Sequence, residues 1–282
     1  MRFYSKLLTL VVFTTLGTLL SSCNNDEGSA PNTLTCNLAS ATIVDSEGFY
    51  SAAFNYNNQR QITGFNDSEG NVVLNYQPDK VFANIDSGAF IDTMFLQNGQ
   101  WSKSVSRYPF ESSNRPGTLY NRIITTPVIA DGLITQLNVL TIEETEENGQ
   151  IATRDSSLAT YNLTYNASGN VTSIRNAANQ EGGNIDFVYA DSTKNIKSNS
   201  YFNFIFLAEY FLEDNLVAVL TGKINLFRNP PSRITNVDFP SDRITFTGIK
   251  ADVNNNLKEI NGTRAENPGP PSERFSFTYD CK

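Results

Sequence analysis

The sequence predicts a mainly β protein: an antiparallel meander of hairpins with a short helical insertion near residues 201–220. The clearest sign is the stretch Leu163 to Ile174. Tyr161, Leu163 and Tyr165 alternate with polar Asn162 and Thr164, the period of a half-buried strand. Asn166 to Asn170 then supply turn chemistry, with Gly169 where a hairpin needs a left-handed residue, and Val171 restarts an extended run. A second sign is the pair of Asn-Gly dipeptides, Asn98-Gly99 and Asn148-Gly149, each between extended segments. The third is recurrence.

The recurring unit is apolar-x-aromatic, a few polar or glycine residues, then an aliphatic residue. Phe54-Asn55-Tyr56 leads to Ile62, Leu74-Asn75-Tyr76 to Val81, and Phe187-Val188-Tyr189 to Ile196. Ile249-Lys250-Ala251 leads to Leu257 with the aromatic lost, and Phe277-Thr278-Tyr279 ends the chain as a half-copy. One hairpin cannot bury its own apolar face, so such units must lie side by side in one sheet. These motifs resemble the tyrosine-dipeptide (YD) repeats of Rhs-type proteins and, more closely, repeat-bearing Bacteroidota lipoproteins of unknown function. The resemblance covers most of residues 36–282 and implies a strongly curved, barrel-like sheet.

Residues 1–22 read as an export signal. Arg2 and Lys6 form a positive start, and Leu7 to Leu20 is a mostly apolar run too short for a comfortable membrane span. Leu20-Ser21-Ser22-Cys23 resembles a bacterial lipobox, which implies cleavage before Cys23 and lipidation of that residue; an ordinary signal peptide with an incidental cysteine is the alternative. Asp26 and Glu27 resemble a surface-export signal and tilt the expected address toward the cell surface rather than the periplasmic face of the outer membrane. Residues 23–34 then have tether composition, leaving 35–282 as a single β-rich domain. Removing Arg2 and Lys6 leaves 21 − 2 = 19 basic residues against 29 acidic, a net of −10. An acidic domain repels phosphate backbones, so nucleic acid is not an expected partner.

With Cys23 assigned to lipid, Cys36 and Cys281 are left in an oxidising compartment, each in phase with apolar strand residues. They are expected to form a disulfide joining the first and last strands, with Cα atoms about 4.4–6.8 Å apart. Between them, Tyr108-Pro109-Phe110 to Arg115-Pro116-Gly117 reads as a loop. The acidic run Glu143, Glu144, Glu146 and Glu147 reads as a solvated hairpin tip or edge. Tyr201 to Leu220 abandons period two: Phe202, Ile205, Phe206, Leu212 and Leu216 fit a helical face that plugs or caps the sheet, a buried strand pair being the alternative. Asn267 to Pro271 reads as an exposed loop before the last strand.

Histidine is absent, which removes Ser-His-Asp and Cys-His catalysis and His-ligated zinc. No cofactor motif is present. Asp252, Asn254 and Asn256 match the first ligand positions of a calcium loop, but Leu257 stands where glycine belongs and Thr263 where a bidentate acid belongs, so a polar hairpin turn is the favoured reading. Trp101 could stack on a sugar ring or serve the core. Asp92-Thr93-Met94 and Asp191-Ser192-Thr193 resemble the Bacteroidota O-glycosylation motif. The leading expectation is a non-catalytic, lipid-anchored binding or structural module of the envelope, whose partner is a glycan or another envelope protein. The alternatives are a glycan-binding lipoprotein accessory to polysaccharide uptake, and a carboxylate-dependent glycan hydrolase, which would show two carboxyls facing across a cleft about 5–10 Å apart.

Overall fold

The computed structural model describes residues 36–281 except 46–47, 67–69, 86–89, 111–117, 148, 179–182, 208–214 and 266–270. The residues expected to form an export signal and tether, Cys23 and most of the expected loop ending at Pro271 lie outside the described residues.

Sixteen antiparallel strands follow one another around a closed barrel. The first six are β1 (Cys36–Val44), β2 (Phe49–Tyr56), β3 (Ile62–Asn66), β4 (Asn71–Tyr76), β5 (Lys80–Ile85) and β6 (Phe90–Gln97). The long strands come next: β7 (Gln100–Phe110), β8 (Thr118–Ala130), β9 (Leu133–Glu147) and β10 (Gln150–Tyr165). The meander finishes with β11 (Val171–Asn176), β12 (Ile185–Val188), β13 (Arg233–Asn236), β14 (Arg243–Ala251), β15 (Leu257–Arg264) and β16 (Glu273–Cys281). β1 pairs with β16 from Cys36 opposite Cys281 to Val44 opposite Arg274, which leaves no open edge.

The period of two decides which side each residue faces. In β2, Ala52 and Phe54 are buried while Ser51, Ala53 and Asn55 are exposed; in β14, Ile244 and Phe246 are buried while Thr245 and Thr247 are exposed. Along these strands the interior is apolar and the outside is largely polar. A lipid-spanning barrel has the opposite polarity and needs roughly 9–11 residues per strand, whereas β12 and β13 have 4 each and β3 has 5. Aliphatic residues do reach the outside of the long strands, where Ile151 and Leu158 are 56% and 69% exposed.

The interior is filled by the chain between β12 and β13. Helix α1 (Ser200–Leu207) and helix α2 (Leu216–Leu220) lie inside the barrel, as the loss of strand period predicts. Phe202 is fully buried, its ring centroid 4.7 Å from Phe206, 6.1 Å from Phe227 and Phe246, and 6.3 Å from Phe277. Tyr201 packs edge-on against Phe54 at 5.1 Å, so α1 touches β2 on one side and β14 and β16 on the other. Asn203, also fully buried, accepts hydrogen bonds from the backbone N–H groups of Leu226 and Phe227 and ties α1 to the outgoing chain. Asp92 from β6 meets the start of α2: its carboxylate accepts from Val217 N at 2.7 Å and from Ser106 Oγ at 3.0 Å. A buried carboxylate on the wall thus satisfies an orphan donor of the plug and the positive end of its dipole.

Two local readings change. Tyr108 to Phe110 is strand, not loop: Pro109 stands opposite Tyr120 within the β7–β8 ladder, because its neighbours still pair although it lacks a donor. The acidic run is not simply solvated. Glu144 is 4% exposed and pairs with Arg122 at 2.8 Å and Arg107 at 3.4 Å, and the Arg107 guanidinium lies 3.6 Å from the Tyr120 ring centroid. The pairing of β9 with β8, and of β8 with β7, brings these cations alongside it.

One hairpin end recurs with the same hydrogen bonds. The side-chain oxygens of Asn57, Asn166 and Asp252 each accept from the backbone N–H groups two and four residues later. The residue before last in each turn is left-handed: Arg60 at φ 61°, Gly169 at φ 75° and Asn255 at φ 62°. At Gly169 an added Cβ would lie 2.7 Å from Arg228 Cζ. Gly169→Val is therefore expected to cost about 1–2 kcal/mol, read as a lower midpoint in urea, with Gly169→Asn costing less because Asn tolerates this region. Equal losses for Asn and Val would rule out backbone strain as the cause.

Candidate functional site

The recurrent turns stand at the end of the barrel where β2 hands over to β3, β10 to β11 and β14 to β15. Four of the tyrosines that close repeat units bond this rim. Tyr76 donates to Ile62 O, Tyr165 to Ile134 O, Tyr189 to Val171 O and Tyr279 to Leu257 O, all at 2.7–2.8 Å. Three of these acceptors, Ile62, Val171 and Leu257, are the first strand residues after a recurrent turn. The aromatic in the repeat thus staples one hairpin end to the next, which accounts for a tyrosine there rather than a phenylalanine. Burial raises all four phenols above their ordinary range, Tyr76 to about 12.

The same rim carries the seam. Cys36 and Cys281 are disulfide-bonded with Cα atoms 4.0 Å apart, slightly closer than the expected interval. The pair is directly cross-strand in the β1–β16 register, where non-hydrogen-bonded partners approach to about 4.5 Å without any bond. Asn254 Nδ2 lies 3.4 Å from both sulfurs.

Between this rim and the plug opens a cleft of about 790 Å³, within the roughly 300–1,000 Å³ usual for small-molecule sites. Its floor is formed by Tyr56, Tyr76 and Tyr279 from the wall with Met94 and Leu220 beneath. Burial pushes the Tyr56 phenol up to about 12, opposed in part by a hydrogen bond with the Leu38 backbone. The rim presents the amides of Gln59, Gln61 and Gln77 and the cations Arg60, Lys197 and Lys223. Lys223 Nζ donates to Gly99 O at 2.9 Å, holding it at the mouth. No aspartate or glutamate lines the cleft among the described residues.

The other residues singled out by sequence lie elsewhere or are differently employed. Trp101 is 3% exposed and donates to Ser104 Oγ at 2.9 Å; it packs in the core and offers no ring face to a sugar. The calcium candidates form a hairpin end. The Asp252 carboxylate accepts from Asn254 N, Asn256 N and Asn256 Nδ2, Asn254 Nδ2 faces the disulfide, and no three-acid or cysteine cluster suited to a metal occurs among the described residues. Of the glycosylation-like triplets, Asp92 is interior and Thr193 is 2% exposed, donating to Ala190 O. Sequence reasoning missed the cleft itself. Its one local trace is a basic residue, Arg60, at a turn position that suits glycine.

No family model and no curated protein matches the chain. Among solved structures, the barrel is similar to the crystal structure of a porin-like protein from Bacteroides vulgatus, with a TM-score of 0.58 at 12% identity over 86% of this chain and 98% of that one. At that identity the likeness is one of fold: a closed antiparallel β-barrel resembling a Bacteroides porin-like protein.

Proposed function

We propose that the protein is a non-catalytic binding module of the bacterial envelope, held to the outer membrane by lipid on Cys23, with its barrel standing in water at the membrane surface. The observation that carries this reading is the polarity of the barrel. Apolar side chains among the described residues pack the interior around α1 and α2, and polar residues cover strands such as β2 and β14, so the wall there suits water on its outside. The fold of the porin-like relative and the lipobox-like run ending at Cys23 support the outer-membrane address. The cleft supports the binding reading, because tyrosines, side-chain amides and cations line it.

The test is fractionation of cells making the full-length protein. Wild type is expected in the membrane fraction, labelled by a fatty-acid analogue, and Cys23→Ser is expected unlabelled and soluble or unprocessed. A Cys23→Ser protein that still inserts and resists carbonate extraction would sink the anchored-module reading in favour of a spanning barrel. Trypsin access on intact cells then separates surface from periplasmic display.

A further inference from the structure

We propose that the cleft at the turn-bearing rim binds an acidic saccharide, a polyhydroxylated ligand carrying carboxylate or sulfate, with Arg60, Lys197 and Lys223 as its anion contacts. The proposal rests on reading the barrel as a binding module and names its ligand class.

The first ground is charge. In a chain with 29 acidic and 21 basic residues, the described lining of the cleft holds three cations and no carboxylate. Asp280 borders the adjoining outer groove, not the cleft. A concave site with low-dielectric walls and one sign of charge concentrates ions of the opposite sign.

The second ground is backbone conformation. Arg60 occupies the left-handed position of a turn whose equivalents carry Gly169 and Asn255, the residue types that adopt it at least cost. A long, branched-head cation held at φ 61° on the lip of a cavity departs from the residue types at the equivalent positions, and such departures concentrate at ligand sites. The turn sets Arg60 on the border shared by the cleft and the outer groove.

The third ground is the rest of the lining. Side-chain amides at Gln59 and Gln77 can donate and accept toward hydroxyls, and the tyrosine floor offers half-buried aromatic surface. Cations for the acid, amides for the hydroxyls and an aromatic floor for ring faces suit an acidic sugar better than an acidic peptide, which would call for apolar side-chain pockets.

The experiment uses the full-length lipoprotein in detergent, titrated with a sulfated tetrasaccharide, a tetragalacturonate, neutral maltotetraose and a short poly-glutamate peptide. At least one acidic saccharide is expected to bind, with affinity falling as salt rises, while maltotetraose and the peptide do not bind at the same concentrations. Arg60→Gly is the sharper arm. It should weaken that binding by about tenfold or more, whereas Arg60→Lys, which keeps the cation, should retain more of it. A purely structural Arg60 would not make binding follow the charge. Lys223→Gln should also weaken binding. Equal binding of neutral and acidic saccharides, no saccharide binding, preference for the peptide, or Arg60→Gly at wild-type affinity would each overturn the proposal. So would association with anionic-lipid vesicles that Arg60→Gly abolishes while no saccharide binds, since the cations would then serve a membrane surface. A protein that fractionates with membranes through Cys23 and binds none of the probes would overturn this proposal while leaving the anchored reading intact.

Discussion

Replacing Cys36 and Cys281 together by serine is expected to lower the stability of the barrel by about 5 kcal/mol, before any native-state strain is deducted. The two cysteines are 245 residues apart, so the bond ties nearly the whole domain into one loop and removes the corresponding loop-closure entropy from its unfolded chain. The folded seam itself loses little, since the β1–β16 ladder from Asn37 opposite Asp280 to Val44 opposite Arg274 remains. The loss should therefore appear chiefly as a lower urea midpoint at nearly unchanged circular dichroism. Reductant added to the wild type should reproduce it. A shift under 1 kcal/mol would mean that the ladder and the plug hold the seam closed without the bond, and that the unfolded chain is already restricted.

Phe202→Ala is expected to cost about 3–5 kcal/mol. The side chain is fully buried and meets rings from its own helix, the outgoing plug segment and two wall strands, so the space left behind cannot collapse from one side alone. Phe202→Leu should lose less, because it keeps most of the volume. Differential hydrogen exchange would place the damage: added exchange should concentrate in α1 and the 224–227 segment, while the amides of the β8–β9 and β9–β10 ladders, remote from these rings, keep their protection. A cost below 1 kcal/mol would show that the plug is not packed as described.

What could be read from the sequence was what depends on near neighbours in the chain. Alternation along β2, β4 and β14 is a local property of an extended backbone with one dry side, so the strands and their buried residues were legible. The Asn98-Gly99 turn was legible for the same reason: φ values of 53° and 73° there need no distant partner. The loss of period two after Ser200 marked the plug, because a segment buried on all sides has no wet face to alternate with. The pairing of Cys36 with Cys281 followed from assigning the only other cysteine to lipid.

Tertiary structure decided everything that depends on which strands meet. Glu144 looks like a solvated charge until the register of β7, β8 and β9 sets Arg107 and Arg122 beside it. Asp92 looks like part of a modification motif until the plug helix is lowered onto it. Asp252 reads as part of a polar turn, and the structure adds that its carboxylate makes the same turn that Asn57 and Asn166 make with amides. The tyrosines look like core aromatics until their hydroxyls are seen to reach carbonyls 14 to 31 residues earlier in the chain. The cleft is the extreme case, since its walls come from the first strands, the plug and the last strand, and closure of β1 onto β16 creates it. Local backbone preference is set within a few residues and survives in the sequence; a cavity and its charge are properties of the closed surface, and no single segment encodes them.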